Sequence, residues 1–105
     1  MSGSRTIIDD DRLDNVHPGA ILREDFLIGG EIPLDEVIAG AGIARERLEA
    51  ILAETAPVDA NVDLRLARYF GMSEGFFLGL QIDYDLEEER RAHGSELDRI
   101  ARRAA

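Results

Sequence analysis

The sequence contains no cysteine, no tryptophan and, although 12 of its 105 residues are basic, no lysine. Without cysteine there is no disulfide framework, no thiolate metal site and no thiol nucleophile, a composition suited to a reducing cytosol. Without lysine, every basic side chain is an arginine guanidinium, always charged and forked in its hydrogen bonding. The arginines are themselves outnumbered, because 22 Asp and Glu leave a formal net charge of -10. Such a chain repels polyanions at long range, which excludes a non-specific nucleic-acid coat or a binder of anionic membranes and requires any DNA contact to be local. Long apolar runs are missing as well. The first sixteen residues hold only Ile7 and Ile8 before an aspartate triplet and do not read as a signal peptide, and no stretch approaches the roughly 18 apolar residues of a membrane span. A soluble, cytoplasmic protein with no membrane partner is expected.

Strand signals are scarce too: no sustained alternation of β-branched residues and no Asn-Gly or Asp-Gly turn. What is present is helical spacing, so the predicted class is all-α. A first helix is predicted over Pro18 to Ile28, opened by proline and closed by Gly29-Gly30. A second opens at Pro33, carries Val37, Ile38 and Ala41 inward and stops at Gly42. A third, Ala44 to Ala53, sets Leu48, Ile51 and Leu52 on one stripe. After a loop over residues 54 to 60, a fourth runs from Asn61 to Phe70 and ends at Gly71. Ser73 is predicted to cap a fifth, in which Phe77, Leu80 and Tyr84 share a face and which continues to Gly94. Ser95 and Asp98 then read as a weak capping box restarting a short helix to about Arg103. Three segments follow: a flexible acidic stretch over 1–16, a helical domain over 17–86, and a charged helical extension over 87–105.

The second and third helices, joined through Ala41-Gly42-Ile43, have the spacing of a helix-turn-helix. A small residue and a glycine allow the sharp turn, an apolar residue pins the corner, and the second helix presents its first turn outward. In a DNA-binding version that turn enters the major groove, where arginine bonds the guanine edge in a fork. The candidate DNA-contacting residues are therefore Ala44, Arg45, Glu46 and Arg47. A second reading makes Arg45 and Arg47 solvated helix residues balancing Glu49 and Glu46. Between Pro33 and Asp59 six carboxylates, Asp35, Glu36, Glu46, Glu49, Glu54 and Asp59, face only these two arginines. Few phosphates can be neutralised there, so weak DNA binding is expected.

Three runs in order carry a family resemblance: His17-Pro18-Gly19-Ala20-Ile21-Leu22-Arg23-Glu24-Asp25-Phe26, Leu64-Arg65-Leu66-Ala67-Arg68-Tyr69-Phe70-Gly71-Met72-Ser73, and Phe76-Phe77-Leu78-Gly79-Leu80-Gln81-Ile82-Asp83-Tyr84-Asp85-Leu86. Together they resemble the HigA-type antitoxins, helix-turn-helix proteins related to phage repressors. The resemblance implies a compact five-helix, lambda-repressor-like domain, a homodimer that neutralises a small basic ribonuclease toxin and often represses its own operon, and a helix-capping role for His17. The chain departs from the family pattern at Leu34, where a phosphate-gripping Gln is usual, at Ala44 in place of a serine, and at Ala53-Glu54-Thr55-Ala56 in place of an Asn-Gly-Lys-Arg phosphate loop.

Other chemistry finds little support. Asp9, Asp10 and Asp11 lack the glycine and distal Glu of a calcium loop and read as a mobile acidic tail. His17 and His93 are far apart with no ligand spacing, and Asp83 and Asp85, two residues apart, fall on different helix faces. Phe76, Phe77, Leu80 and Tyr84 read as core or dimer interface. Neither an enzyme, a metal site nor a cofactor is expected. The expected partners are a second copy of the chain, a basic ribonuclease toxin and operator DNA, the last bound weakly. The alternative is a protein-interaction module of the same fold that no longer binds DNA.

Overall fold

The computed structural model describes residues 13 to 104, and among these every regular element is helical. His17 opens the first helix as predicted from the resemblance: its Nδ1 accepts the Gly19 amide at 2.9 Å, and Pro18 takes the first helical position. The α-helical part, α1, is a single turn, Pro18–Ile21. The chain then widens into π-helical winding over Leu22–Ile28, a correction to the single α-helix predicted there. Leu22 and Leu27, five residues apart, are both buried, a spacing that π winding brings nearer to one face than an α-helix does. The turn that follows is also not made by the two glycines alone. Gly29 keeps right-handed geometry, and the left-handed residue is Glu31 at φ 54°.

The next three helices fall close to their predicted bounds. Helix α2, Leu34–Ala41, ends at Gly42, whose φ of 69° lies where a Cβ is disfavoured. Helix α3 is Arg45–Leu52 and α4 is Ala60–Phe70. Helix α4 lies at the centre, packed on α2 and on α5 (Phe76–Asp98), while α1 packs on α3 and α5. Leu22, Val37, Leu48, Ile51, Val62, Leu66 and Phe77 fill the space between them, each almost wholly removed from water. The approach of α1 to α3 requires Gly19, since a Cβ there would sit 1.8 Å from the Ile51 carbonyl oxygen. No helix of the described residues is long and apolar enough to cross a membrane.

Helix α5 departs most from expectation. Its N-cap position is Gly75, not Ser73, and it has no local side-chain cap. The cap comes from another helix: Asp63 of α4, only 2% exposed, accepts the Gly75 amide at 2.7 Å and the Leu78 amide at 2.8 Å. The break expected at Gly94 falls at His93 (φ -129°), where two helical stretches meet across a kink, and the second ends at Asp98 rather than near Arg103. Of the N-terminal stretch, residues 1–12 with the Asp9 to Asp11 run lie outside the described residues. Residues 13–16 run along α5, where Asn15 donates to the Tyr84 carbonyl (2.9 Å) and to Glu88 (3.1 Å), and Arg91 donates to the Leu13 carbonyl (2.6 Å).

Because two amides at the start of α5 depend on the buried Asp63 carboxylate, Asp63→Ala should lose about 3 kcal/mol of stability in urea denaturation, whereas Ser73→Ala should change it by less than about 0.5 kcal/mol. The reverse ranking would return the cap to Ser73.

Candidate nucleic-acid interface

A helix-turn-helix can read DNA only if its second helix stands proud of the core with its first turn free. Leu48 and Ile51 anchor the inner face of α3, and Ile43 is buried at the corner before it. On the outer face Ala44, Arg45, Glu46, Arg47 and Glu49 are all exposed. All four predicted contact residues thus lie together at the start of α3. Ala44 occupies the N-cap position and supplies no side-chain hydrogen bond, so the first amides of α3 lack a side-chain partner there.

The two arginines are engaged within the protein. The Arg45 Nη2 atom lies 2.5 Å from Asp35 Oδ1, on the first turn of α2, and its Nη1 lies 3.6 Å from Glu49, one turn along α3. The hydrogen bond and charge of Asp35, with a smaller contribution from Glu49, raise the Arg45 pKa above its ordinary value. Arg47 makes an ion pair with Asp59, not with Glu46 as the second reading of the sequence had it. Asp59 also accepts the Val62 amide at 2.9 Å as the N-cap of α4. That amide first, and Arg47 second, hold the Asp59 carboxyl below the usual aspartate range. Glu46 and Glu36 are exposed and, among the described residues, have no charged partner. The arrangement presents carboxylates outward and keeps its guanidiniums occupied.

A third arginine, absent from the sequence-based site, reaches the same place from α4. Arg65 Nη1 donates to the Ala41 and Gly42 carbonyls, both at 3.3 Å, and its Nε to Asn61 at 3.0 Å. It thereby satisfies the C-terminal end of α2 with a cation, the sign favoured by the helix dipole. The end of α3 receives similar treatment from Arg23, whose Nη1 donates to the Leu52 carbonyl at 2.6 Å. Arg23 Nη2 lies 3.5 Å from Glu54, which adopts a left-handed φ of 65°. The loop that departs from the family's phosphate-binding pattern therefore turns a carboxylate, not a cation, toward its surroundings. Behind it, buried Gln81 accepts the Val58 amide at 2.8 Å and donates to Asp85 at 2.9 Å, tying the α3–α4 loop to α5.

Only Asp59 could have been recognised from sequence, as an N-cap three residues before the buried Val62. Asp35, Arg65 and Gln81 meet partners 10 to 24 residues away, which no local spacing reveals. Among the described residues no group of three His, Cys, Asp or Glu side chains could hold a metal ion.

No family profile matches the chain. The virulence-associated protein I of Dichelobacter nodosus is 33% identical over 72 residues, which span 69% of this chain and 67% of that protein. The Pseudomonas aeruginosa antitoxin HigA, solved with the higBA promoter, matches 88% of this chain and 100% of its own, at a TM-score of 0.77 and 27% identity. The antitoxin GraA matches 88% of this chain and 99% of its own, at a TM-score of 0.77 and 30% identity.

The depressed Asp59 carboxyl makes a pH prediction with a definite sign. A group whose folded pKa lies below its unfolded value, near 4 for aspartate, stabilises the fold above that value and loses the contribution as pH falls through the folded pKa. Asp59→Asn keeps a capping side chain but removes this titration. Its stability deficit against the unchanged protein should therefore be present at pH 7 and shrink below about pH 4, as read by thermal unfolding across pH. A deficit that stayed constant with pH would show that Asp59 acts through neutral hydrogen bonding alone.

Proposed function

This chain belongs to the HigA-type antitoxin family, and from that membership we propose that it is a cytoplasmic, homodimeric antitoxin that neutralises a basic ribonuclease toxin and represses its own operon through α3. The observation that carries this reading is the agreement over 88% of the chain with an antitoxin whose solved structure includes its promoter. The helix-turn-helix supports the same reading: α2, the left-handed Gly42 and an outward α3 keep the geometry that groove binding needs. The chain works by binding and not by catalysis, as befits the antitoxins it resembles. Its net charge of -10 would speed encounter with a basic partner, an effect that weakens as salt rises.

Dimerisation is assigned to α5. Ile82 and Leu86 are 50% and 49% exposed and stand one turn apart on the face of α5 away from the buried Phe77 and Gln81. Gly79 lies between them and partly exposed Phe76, with open space where a side chain would project, so another helix can approach closely. Apolar side chains aligned this way on a small protein are best covered by a second subunit. Leu86→Glu should then convert a species of twice 11.6 kDa into a monomer at micromolar concentration, read by light scattering, without loss of helix content. A variant that stayed dimeric would place the interface elsewhere.

The reading as a whole is tested by co-expression with the product of the adjacent reading frame, which should arrest growth alone and be held inactive in a co-purifying complex. The association rate should fall severalfold between about 0.05 and 0.5 M salt. A folded protein that neither relieves arrest nor retards its own upstream DNA would overturn it. One that relieves arrest but ignores DNA would leave the interaction-module alternative, which the outward carboxylates of the α2–α3 face favour.

A further inference from the structure

We propose that Asp35 and Asp59 act as built-in competitors of DNA, occupying Arg45 and Arg47 in the free protein so that the recognition helix binds only a duplex able to displace both carboxylates at once. The inference rests on the proposed DNA-binding role of α3 and adds to it two residues that set its affinity.

The geometry is specific to these two pairs. Arg45 and Arg47 are the only cations on α3, and each is joined to a carboxylate held by a different helix. Asp35 sits on the first turn of α2, where an aspartate is favoured by the helix dipole. Asp59 is fixed at the start of α4 by the Val62 amide, so it stays in place when Arg47 leaves. The carboxylate oxygens therefore stand where a phosphate or a guanine edge would otherwise meet the guanidiniums. Arginine keeps its charge at all working pH values, so the pairs cannot be opened by losing the proton. They open by exchange of one anion for another.

Exchange is cheap enough to occur and costly enough to measure. The pairs are exposed, with side chains from 43% to 79% accessible, and exposed pairs are weak enough to exchange partners. Displaced carboxylates then lie beside the phosphates and recover counterions, which offsets part of the ion release that drives DNA binding. Neutralising a competitor should thus strengthen binding and also steepen its salt dependence, two effects that a general change in net charge does not produce together at one site.

The test uses the full chain and two labelled duplexes of equal length, one from immediately upstream of its coding sequence and one scrambled. Asp35→Asn and Asp59→Asn should each raise affinity for the upstream duplex about threefold to tenfold at 0.15 M salt, and each should steepen the slope of log K against log salt by roughly one unit. Affinity for the scrambled duplex should rise by a similar factor, because the cost of opening the pairs is common to every sequence. Glu36→Gln makes the same charge change one residue from Asp35 without releasing an arginine, and it should raise affinity less than about twofold. Equal gains from Glu36→Gln and Asp35→Asn would overturn the proposal in favour of long-range repulsion. Weaker binding by the Asn variants would overturn it by showing that the aspartates preorganise the arginines for DNA. Binding by the Asn variants where the unchanged protein binds nothing would support it in its strongest form. If all variants fold, dimerise and bind neither duplex, the proposal fails together with the DNA-binding reading, whereas tight binding that is identical in all of them removes the proposal alone.

Discussion

Asp63 lies within α4 at 2% exposure, yet both amides it accepts belong to the start of α5. A charge at that depth is tolerable only because charge-assisted hydrogen bonds replace its water. In return, the direction in which α5 leaves the domain is tied to α4, which is in turn packed on α2. The apolar face of α5 is therefore held at a fixed position relative to the helix-turn-helix. A homodimer built on that face would carry its two α3 helices at a set separation, which is what a two-fold DNA site demands. In such a dimer the interface and the spacing of the α3 helices would both depend on the same buried carboxylate.

Much of the fold was legible because apolar spacing and punctuation agreed. Val37 and Ala41, Leu48 and Ile51, and Val62 and Leu66 recur three or four apart, and Gly42 and Gly71 sit where left-handed residues end helices. The errors share a physical origin. Ser73 looked like a cap because capping is usually local, but the carboxylate that satisfies α5 comes from residue 63, and no pattern in the neighbouring sequence announces it. The π winding of Leu22–Ile28 was hidden because both kinds of helix bury residues from the same run. The break that Gly94 announces is present and falls one residue earlier, at His93, where two helical stretches meet across a kink.

The position of the candidate residues was legible, but not their pairing. Spacing placed Ala44, Arg45, Glu46 and Arg47 together at the head of α3, where they are found. Counting charges between Pro33 and Asp59 indicated an acidic face, but composition cannot say which carboxylate holds which arginine. Proximity along the chain suggested Glu46 for Arg47, and the structure gives Asp59, because Glu46 and Arg47 are adjacent and point to different sides of the helix. Arg65 escaped notice for the opposite reason: it is remote in sequence and reaches back across the turn to Ala41 and Gly42.

The absence of lysine gives these surface pairs a particular character. A lysine ammonium is a compact, strongly hydrated charge that moves easily between partners, whereas a guanidinium is planar, forked and weakly hydrated. Arg23, Arg45, Arg47, Arg65 and Arg68 are each engaged by a carboxylate, a carbonyl or an amide oxygen, so the cations of the domain are directional and already committed. The field that reaches an approaching partner is then set by the carboxylates without cations, Glu36 and Glu46 among them. A basic protein would be drawn in by that field without breaking any pair. A duplex would be repelled by it until its phosphates and base edges reached Arg45 and Arg47 together, when two exchanges would be made in one step. Because the cost of opening the pairs is common to every DNA sequence, it would lower affinity for all of them alike, and only a register that makes both exchanges together would return enough to bind.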